Sequence, residues 1–299
     1  MDEVRVPPVV RKDRGVGSWR RLMATVLGLV VLGYFVWCVL LFVMQDAMMF
    51  PRHLVQTPTA DGPLSDIWEQ WWHDTPEGSR TEAWFRVGSG VSADSPGPLL
   101  VFFHGNGELI DHRAVQMGMY AQRGINVLMV EYRGYGRSTG RPSQRGIVED
   151  AHAFLERALE RDEVDGERLV YHGISLGSAV ASALSEVHPA RALILESPFK
   201  SATAMARRYL APSFLVRNPF RTDRTLRRFE GPVLLFHAEG DTIIPVSHSR
   251  ALAEIGQDVT LRTAEGNHND FPRDWNWYDD EIVAFLERAG ILRDDEGGS

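Results

Sequence analysis

Gly173-Ile174-Ser175-Leu176-Gly177 is followed along the chain by Asp241, in a His-Ala-Glu-Gly-Asp run, and by His268, in Glu-Gly-Asn-His. A serine hydroxyl becomes a useful nucleophile when an imidazole takes its proton. The imidazole does so best when a carboxylate fixes its tautomer and stabilises its cation. Ser, Asp and His together therefore point to nucleophilic acyl transfer. Singly each has an ordinary explanation. A G-x-S-x-G string arises by chance in roughly one chain of this size in ten, serine is a common helix N-cap, and aspartate is a common turn former. The weight lies in the order of the three and in the elements that must carry them.

Residues 168–172 (RLVYH) read as a short buried strand and residues 176–187 as a helix with small residues on its first turns. A strand, a sharp turn and a helix put a serine on a strained elbow with its Oγ exposed, and Gly173 and Gly177 let backbone and helix approach closely. Further apolar runs at 99–103, 126–130, 191–195, 233–237 and 259–264 alternate with helical patterns at 111–123, 143–161 and 275–289. Runs without polar alternation fit parallel strands buried on both faces, and alternating β and α units predict an α/β doubly wound, mostly parallel sheet of about eight strands. Residues 67–73 and 81–87, joined by Asp-Thr-Pro-Glu-Gly, predict an antiparallel hairpin at its edge.

In such a sheet the reactive groups gather at the carboxyl ends of the strands. Ser175, Asp241 and His268 all fall there, as does His104-Gly105-Asn106-Gly107 after the first parallel strand. A Gly-rich turn at that place supplies one backbone N–H of an oxyanion hole, and the residue after the nucleophile supplies the other. Here these are the amides of Asn106 and Leu176, with His104, Gly105 and Gly107 shaping the loop. Tyr132, Arg133, Tyr135, Arg137 and Arg141 could suggest an anion site, but tight turns at Gly134 and Gly136 beside the active site, with salt-bridged or solvated arginines, explain them better.

His104-Gly-Asn-Gly, Glu131-Tyr-Arg-Gly-Tyr-Gly-Arg-Ser, Gly140-Arg-Pro, Gly173-Ile-Ser-Leu-Gly, Glu196-Ser-Pro-Phe, Gly240-Asp with Pro245, and Gly266-Asn-His occur in register. Over residues 64–289 the chain resembles the membrane-anchored α/β-hydrolases that include the eukaryotic protein depalmitoylating hydrolases and their bacterial relatives. The resemblance implies Ser175 as nucleophile, His268 as base, Asp241 as the acid that orients it, and Asn106 and Leu176 as oxyanion donors. Two features depart from the pattern. Gly107 stands where relatives usually carry alanine, and a hydrophobic stretch replaces the cysteine-rich lipidated N-terminus of the depalmitoylating members.

That stretch, residues 22–44, holds 23 residues without a charge. As a helix rising about 1.5 Å per residue it matches a hydrocarbon core of about 30 Å. It is longer than a signal-peptide core and has no polar face. Residues 1–21 carry six basic against three acidic side chains, most of the basic ones close to the span, which places the N-terminus in the cytoplasm and the catalytic domain on the periplasmic or extracytoplasmic side. Removing that +3 from the overall −8 leaves −11 on the remainder, so a nucleic-acid partner is not expected. The single cysteine, Cys38, sits inside the stretch; no intrachain disulfide or cysteine metal site can form.

The expected organisation is a basic segment at 1–21, a transmembrane helix at 22–44, a linker at 45–63, the hydrolase domain at 64–290 and a flexible tail at 291–299. A small cap is expected at about 197–230. Its basic and aromatic residues, Lys200 through Arg228, could rest on anionic lipid or simply form a solvated helical excursion. The resulting expectation is a serine hydrolase that cleaves a carboxylic ester or thioester of a small-molecule or lipid acyl substrate, without metal or organic cofactor. The alternatives are a serine peptidase of the same fold and a non-catalytic membrane scaffold.

Overall fold

Two kinds of apolar sequence settle the architecture: one long uninterrupted stretch near the N-terminus, and several short ones separated by amphipathic segments. The computed structural model describes residues 16–55, 62 and 66–292. Most of the basic segment and the tail, and about a third of the expected linker, lie outside the described residues. The chain divides into two units, Met1–Met44 and Gln45–Ser299. Helix α1 (Val16–Met49) contains the candidate membrane span, Ser18–Met49. Leu27, Val30, Phe35 and Val43 are among its exposed apolar side chains.

The second unit runs β1 (Glu69–Asp74), β2 (Arg80–Arg86), β3 (Gly97–Phe103), α2 (Ala114–Gln122), β4 (Asn126–Val130), α3 (Gln144–Leu159) and β5 (Val164–Ile174). It continues with α4 (Leu176–Ser185), β6 (Ala192–Glu196), α5 (Ala202–Arg207), α6 (Thr222–Leu226), β7 (Val233–Ala238), α7 (Ser247–Ala253), β8 (Val259–Ala264) and α8 (Trp275–Arg288). The strands form one eight-stranded sheet in the order β1-β2-β4-β3-β5-β6-β7-β8. The β1–β2 and β2–β4 pairs are antiparallel, the rest parallel. This is the α/β-hydrolase fold, with the expected hairpin at its edge.

Side-chain alternation along a strand sorts β3 between two cores. Leu99, Val101 and Phe103 pack with α3 and α4 residues such as Phe154 and Val180. Leu100 and Phe102 face the other side with Met117, Tyr120 and Phe285. Because both faces are covered, β3 reads as an unbroken apolar run.

Boundaries differ from the sequence expectation where backbone pairing outruns hydropathy. Strand β5 starts at Val164, four residues before its apolar run, because Gly97 and Pro98 pair with Val164 and Asp165 ahead of a register shift. The helix expected from residue 111 opens as a 3-10 turn, Ile110–Arg113, before α2 begins.

The stretch just after the apolar run is tightly built rather than extended. Gln45 donates to the Leu215 carbonyl at 3.0 Å and accepts from the Arg217 amide at 2.8 Å. Asp46 pairs with Arg217 at 2.6 Å. Phe50 is buried in the core, and Arg52 donates to the Gly140 carbonyl at 2.8 Å.

Candidate active site

Only one residue separates β5 from α4, and the chain must reverse there. That residue, Ser175, adopts φ 53° and ψ −111°, a conformation that costs a non-glycine residue on the order of 1–3 kcal/mol. Its surroundings hold it. The Ser175 amide donates to the Glu196 carbonyl at 2.8 Å, and Ser178 Oγ contacts the carbonyls of Gly173 and Glu196, each at 2.8 Å. The flanking glycines are sterically required. A Cβ on Gly173 would lie 2.2 Å from the Gly177 carbonyl oxygen, and one on Gly177 would lie 2.0 Å from that of Phe103.

Asp241 and His268 leave the ends of neighbouring strands β7 and β8, and their loops are joined by Gly240 N–H donating to the Gly266 carbonyl at 3.0 Å. Asp241 Oδ1 accepts the amides of Ile243 and Ile244 at 2.9 and 2.8 Å. Its Oδ2 accepts from His268 Nδ1 at 2.6 Å, and His268 Nε2 lies 3.0 Å from Ser175 Oγ. The structure thus joins the three sequence-predicted residues in one hydrogen-bonded run. Burial alone would raise the Asp241 pKa, but the polar contacts of His237, His268 and the Ile244 amide outweigh it and hold the carboxyl well below its ordinary range. An ionised carboxylate only accepts, so Nδ1 carries the proton and the Nε2 lone pair faces the serine hydroxyl.

The loop after β3 is organised around a buried ion pair. His104 is fully buried; Nδ1 donates to the Gly105 carbonyl at 2.7 Å and Nε2 to Glu131 at 2.8 Å. Both partners are acceptors, so the ring is held as imidazolium. Burial opposes that charge, yet the Glu131 carboxylate prevails and raises the His104 pKa. Tyr132 stacks on the ring at 4.0 Å and donates its hydroxyl to the His104 carbonyl at 2.7 Å. Gly105 and Gly107 are not sterically forced in the way that Gly173 and Gly177 are. A Cβ on Gly105 would make ordinary contacts, one on Gly107 would meet nothing within 4 Å, and neither has a positive φ. The Asn106 side chain donates to the Met49 carbonyl at 3.2 Å, so the end of α1 touches the loop. Leu176 is the first residue of α4, where amides have no intrahelical acceptor.

Three groups of side chains have partners that the sequence did not assign. His237 donates Nε2–H to the Ile244 carbonyl at 2.7 Å and stands 3.3 Å from Asp241. Glu131 anchors His104 and also accepts the Ile110 and Tyr132 amides. Beneath the serine turn, His172 Nε2 meets Glu196 at 2.6 Å, and the hydroxyls of Tyr120 and Tyr278 join the same buried group. For His172, His237, Glu131 and Glu196 the signal in the sequence was a polar residue at the end of an apolar run. Two of the three arginines that suggested an anion site are paired: Arg133 grips Asp150 at 2.6 and 2.9 Å, and Arg137 bridges Glu82 and Asp111; Arg141 is exposed.

A strained serine turn on an eight-stranded, mostly parallel sheet defines the class as an α/β-hydrolase. The profile of a hydrolase family described as serine aminopeptidase, S33, matches residues 94–217. An uncharacterized protein of Mycobacterium tuberculosis is 34% identical over 227 residues, covering 73% of this chain and 79% of that protein. The α/β-hydrolase domain-containing protein WAV2 of Arabidopsis thaliana is 34% identical over 215 residues, 65% of this chain and 68% of WAV2. Lysophosphatidylserine lipase ABHD12 of Danio rerio is 32% identical over 214 residues, 62% of this chain but 54% of that longer protein. Among solved structures, the esterase Est2 of Thermogutta terrifontis superposes with a TM-score of 0.63 at 18% identity, covering 83% of this chain and all of the esterase. The chain belongs to the α/β-hydrolase family, and its relatives include a lysophosphatidylserine lipase.

Proposed function

We propose that this protein is a membrane-anchored serine hydrolase that cleaves the ester or thioester of an acylated small molecule or lipid. The observation that carries the reading is the run from Ser175 Oγ through His268 to Asp241, at 3.0 and 2.6 Å. Ser175 attacks the acyl carbonyl while His268 takes its proton, and the oxyanion rests on the amides of Asn106 and Leu176. His268 returns the proton to the leaving group. It then activates the water that releases the acyl chain, with Asp241 stabilising the imidazolium throughout.

Residues 22–44 span the membrane with the N-terminus inside, and residues 64–290 form the hydrolase domain on the far side. Residues 197–230 form a small cap. Leu210 and Phe214 on it are 73% and 84% exposed beside Arg207 and Arg208. Gln45 and Asp46, which follow the apolar stretch along the chain, bond Leu215 and Arg217. Together these support contact between the basic 200–228 segment and anionic lipid. A lysophosphatidylserine lipase among the relatives favours an amphiphilic substrate.

The test is a panel of p-nitrophenyl esters of increasing chain length, with and without detergent, alongside fluorophosphonate labelling of the full chain. Ser175→Ala abolishes turnover and labelling while leaving the circular dichroism spectrum unchanged. Unchanged turnover in that variant overturns the reading, and a native chain that no serine-directed probe labels favours a scaffold. The peptidase reading has one observation behind it, the description of the matched family. Faster turnover of aminoacyl p-nitroanilides than of esters would select it.

A further inference from the structure

A second group of chemistry-bearing side chains lies away from the serine. His152 and Glu156 sit one turn apart on α3, and His188 lies three residues beyond the end of α4. Nε2 of His152 is 3.3 Å from Oε1 of Glu156, and Nδ1 of His188 is 3.4 Å from the same oxygen. All three atoms fall within 4.8 Å of one another. A tetrahedral zinc ion bound at about 2.0–2.1 Å holds its ligand atoms about 3.3 Å apart, so two of the three edges already have the length such an ion needs. The third closes by a small rotation of one imidazole.

The alternative is a plain His–Glu–His hydrogen-bond chain, and the distances speak against it. Charge-assisted N–H to carboxylate bonds are about 2.7–2.9 Å long. His268–Asp241, His104–Glu131 and His172–Glu196 in this molecule are 2.6, 2.8 and 2.6 Å. The exception at 3.3 Å, His237 with Asp241, gives its proton to the Ile244 carbonyl instead. The backbone of His188 is fixed on both sides: its amide donates to the Leu184 carbonyl at 2.8 Å and its carbonyl accepts the Tyr171 hydroxyl at 2.9 Å. The side chains of His152, Glu156 and His188 are 38%, 53% and 31% exposed, which leaves an entry path and room for water as a fourth ligand.

We propose that His152, Glu156 and His188 form a site for a zinc-class divalent cation that staples α3 to the far end of α4. Two imidazoles and one carboxylate suit zinc, nickel or copper rather than calcium or magnesium, which take oxygen ligands. Each ring binds as neutral imidazole through the nitrogen that now faces Glu156, its proton on the other nitrogen. Ten helical residues span about 15 Å, so the ion sits well away from Ser175 at the head of the same helix. It therefore acts on stability, not on the reaction.

The experiment uses the full chain in detergent, stripped with EDTA and titrated with zinc by calorimetry and thermal denaturation. One ion binds per chain and raises the melting temperature. Cobalt in its place gives the intense visible absorption of a tetrahedral site. His152→Ala and His188→Ala each weaken zinc binding at least tenfold, as even loss of an outer-sphere partner does, and abolish the thermal shift. Fluorophosphonate labelling of Ser175 stays the same in both variants, so the outcome does not depend on the hydrolase assignment. Binding and thermal shift that survive both substitutions, or the lack of any saturable zinc binding to the native chain, overturn the proposal.

Discussion

His268 meets Asp241 at 2.6 Å and His104 meets Glu131 at 2.8 Å, but the other nitrogen of each ring faces a different kind of group. For His268 it is the hydroxyl of Ser175; for His104 it is the carbonyl of Gly105. A ring held between two acceptors must keep both protons and cannot cycle one. A ring between a carboxylate and a hydroxyl keeps a lone pair and can take a proton when the hydroxyl reacts. Exposure follows the same division. The His268 side chain is 12% exposed at the rim, whereas that of His104 is sealed at 0%. Nearly the same pair thus leaves a ring free to act as the proposed base in one place and holds a charge that braces a loop in the other. The third group decides which.

The largest test of this contrast is at the rim. Ser175→Ala or His268→Ala should each cost on the order of 10⁶-fold in kcat, and the double variant little more, because the residues act as a unit. Asp241→Asn should cost about 10⁴-fold, since the amide favours the wrong tautomer of His268. Steady-state ester hydrolysis measures all of these, and losses that simply multiply would break the assignment of one role to the three residues.

Below these comes the buried pair. Glu131→Gln leaves an uncompensated imidazolium in the core and should destabilise by about 3–5 kcal/mol, read by urea denaturation, with fluorophosphonate labelling retained at low temperature. The signs of the two pH dependences also differ. The His104 pKa is raised on folding, so its stabilisation is complete below about pH 6.5 and fades as pH climbs through the raised value. The Asp241 pKa is depressed, so its stabilisation is complete above about pH 3.9 and fades as pH falls through the lowered value. The stability gap between wild type and Glu131→Gln should therefore narrow as pH rises through the raised His104 pKa, and that for Asp241→Asn should narrow in acid. A gap that moved the other way would reverse the charge assigned to the ring or carboxyl.

The smallest effect belongs to Asn106→Ala. It keeps the backbone N–H proposed as an oxyanion donor and removes only the side-chain link to Met49. Removing a true oxyanion donor costs about 10²–10³-fold in kcat. Asn106→Ala should stay within tenfold, and a loss in the larger range would assign the stabilising contact to the side-chain amide.

Much of this site was legible in the sequence because its determinants are local. Gly173 and Gly177 answer to atoms within a few residues or on the adjoining strand, the apolar runs specify buried strands by composition, and chain order places Ser175, Asp241 and His268 at strand ends. The unbroken stretch at 22–44 likewise declares itself by length and absence of charge. What only the tertiary structure decided were the long-range partners. Nothing near His104 in the chain marks Glu131, 27 residues on, as its counter-ion. Nothing in residues 45–50 predicts that Gln45 and Asp46 bond Leu215 and Arg217, about 170 positions away. His188 meets the His152–Glu156 turn only because α3 and α4 cover the same face of the sheet. Local spacing dictates which backbone elements form, since their hydrogen bonds and side-chain periodicity are short-range. Which acceptor a buried polar atom finds depends on how those elements stack, and that choice leaves one histidine with a lone pair facing Ser175 and holds another protonated between two acceptors.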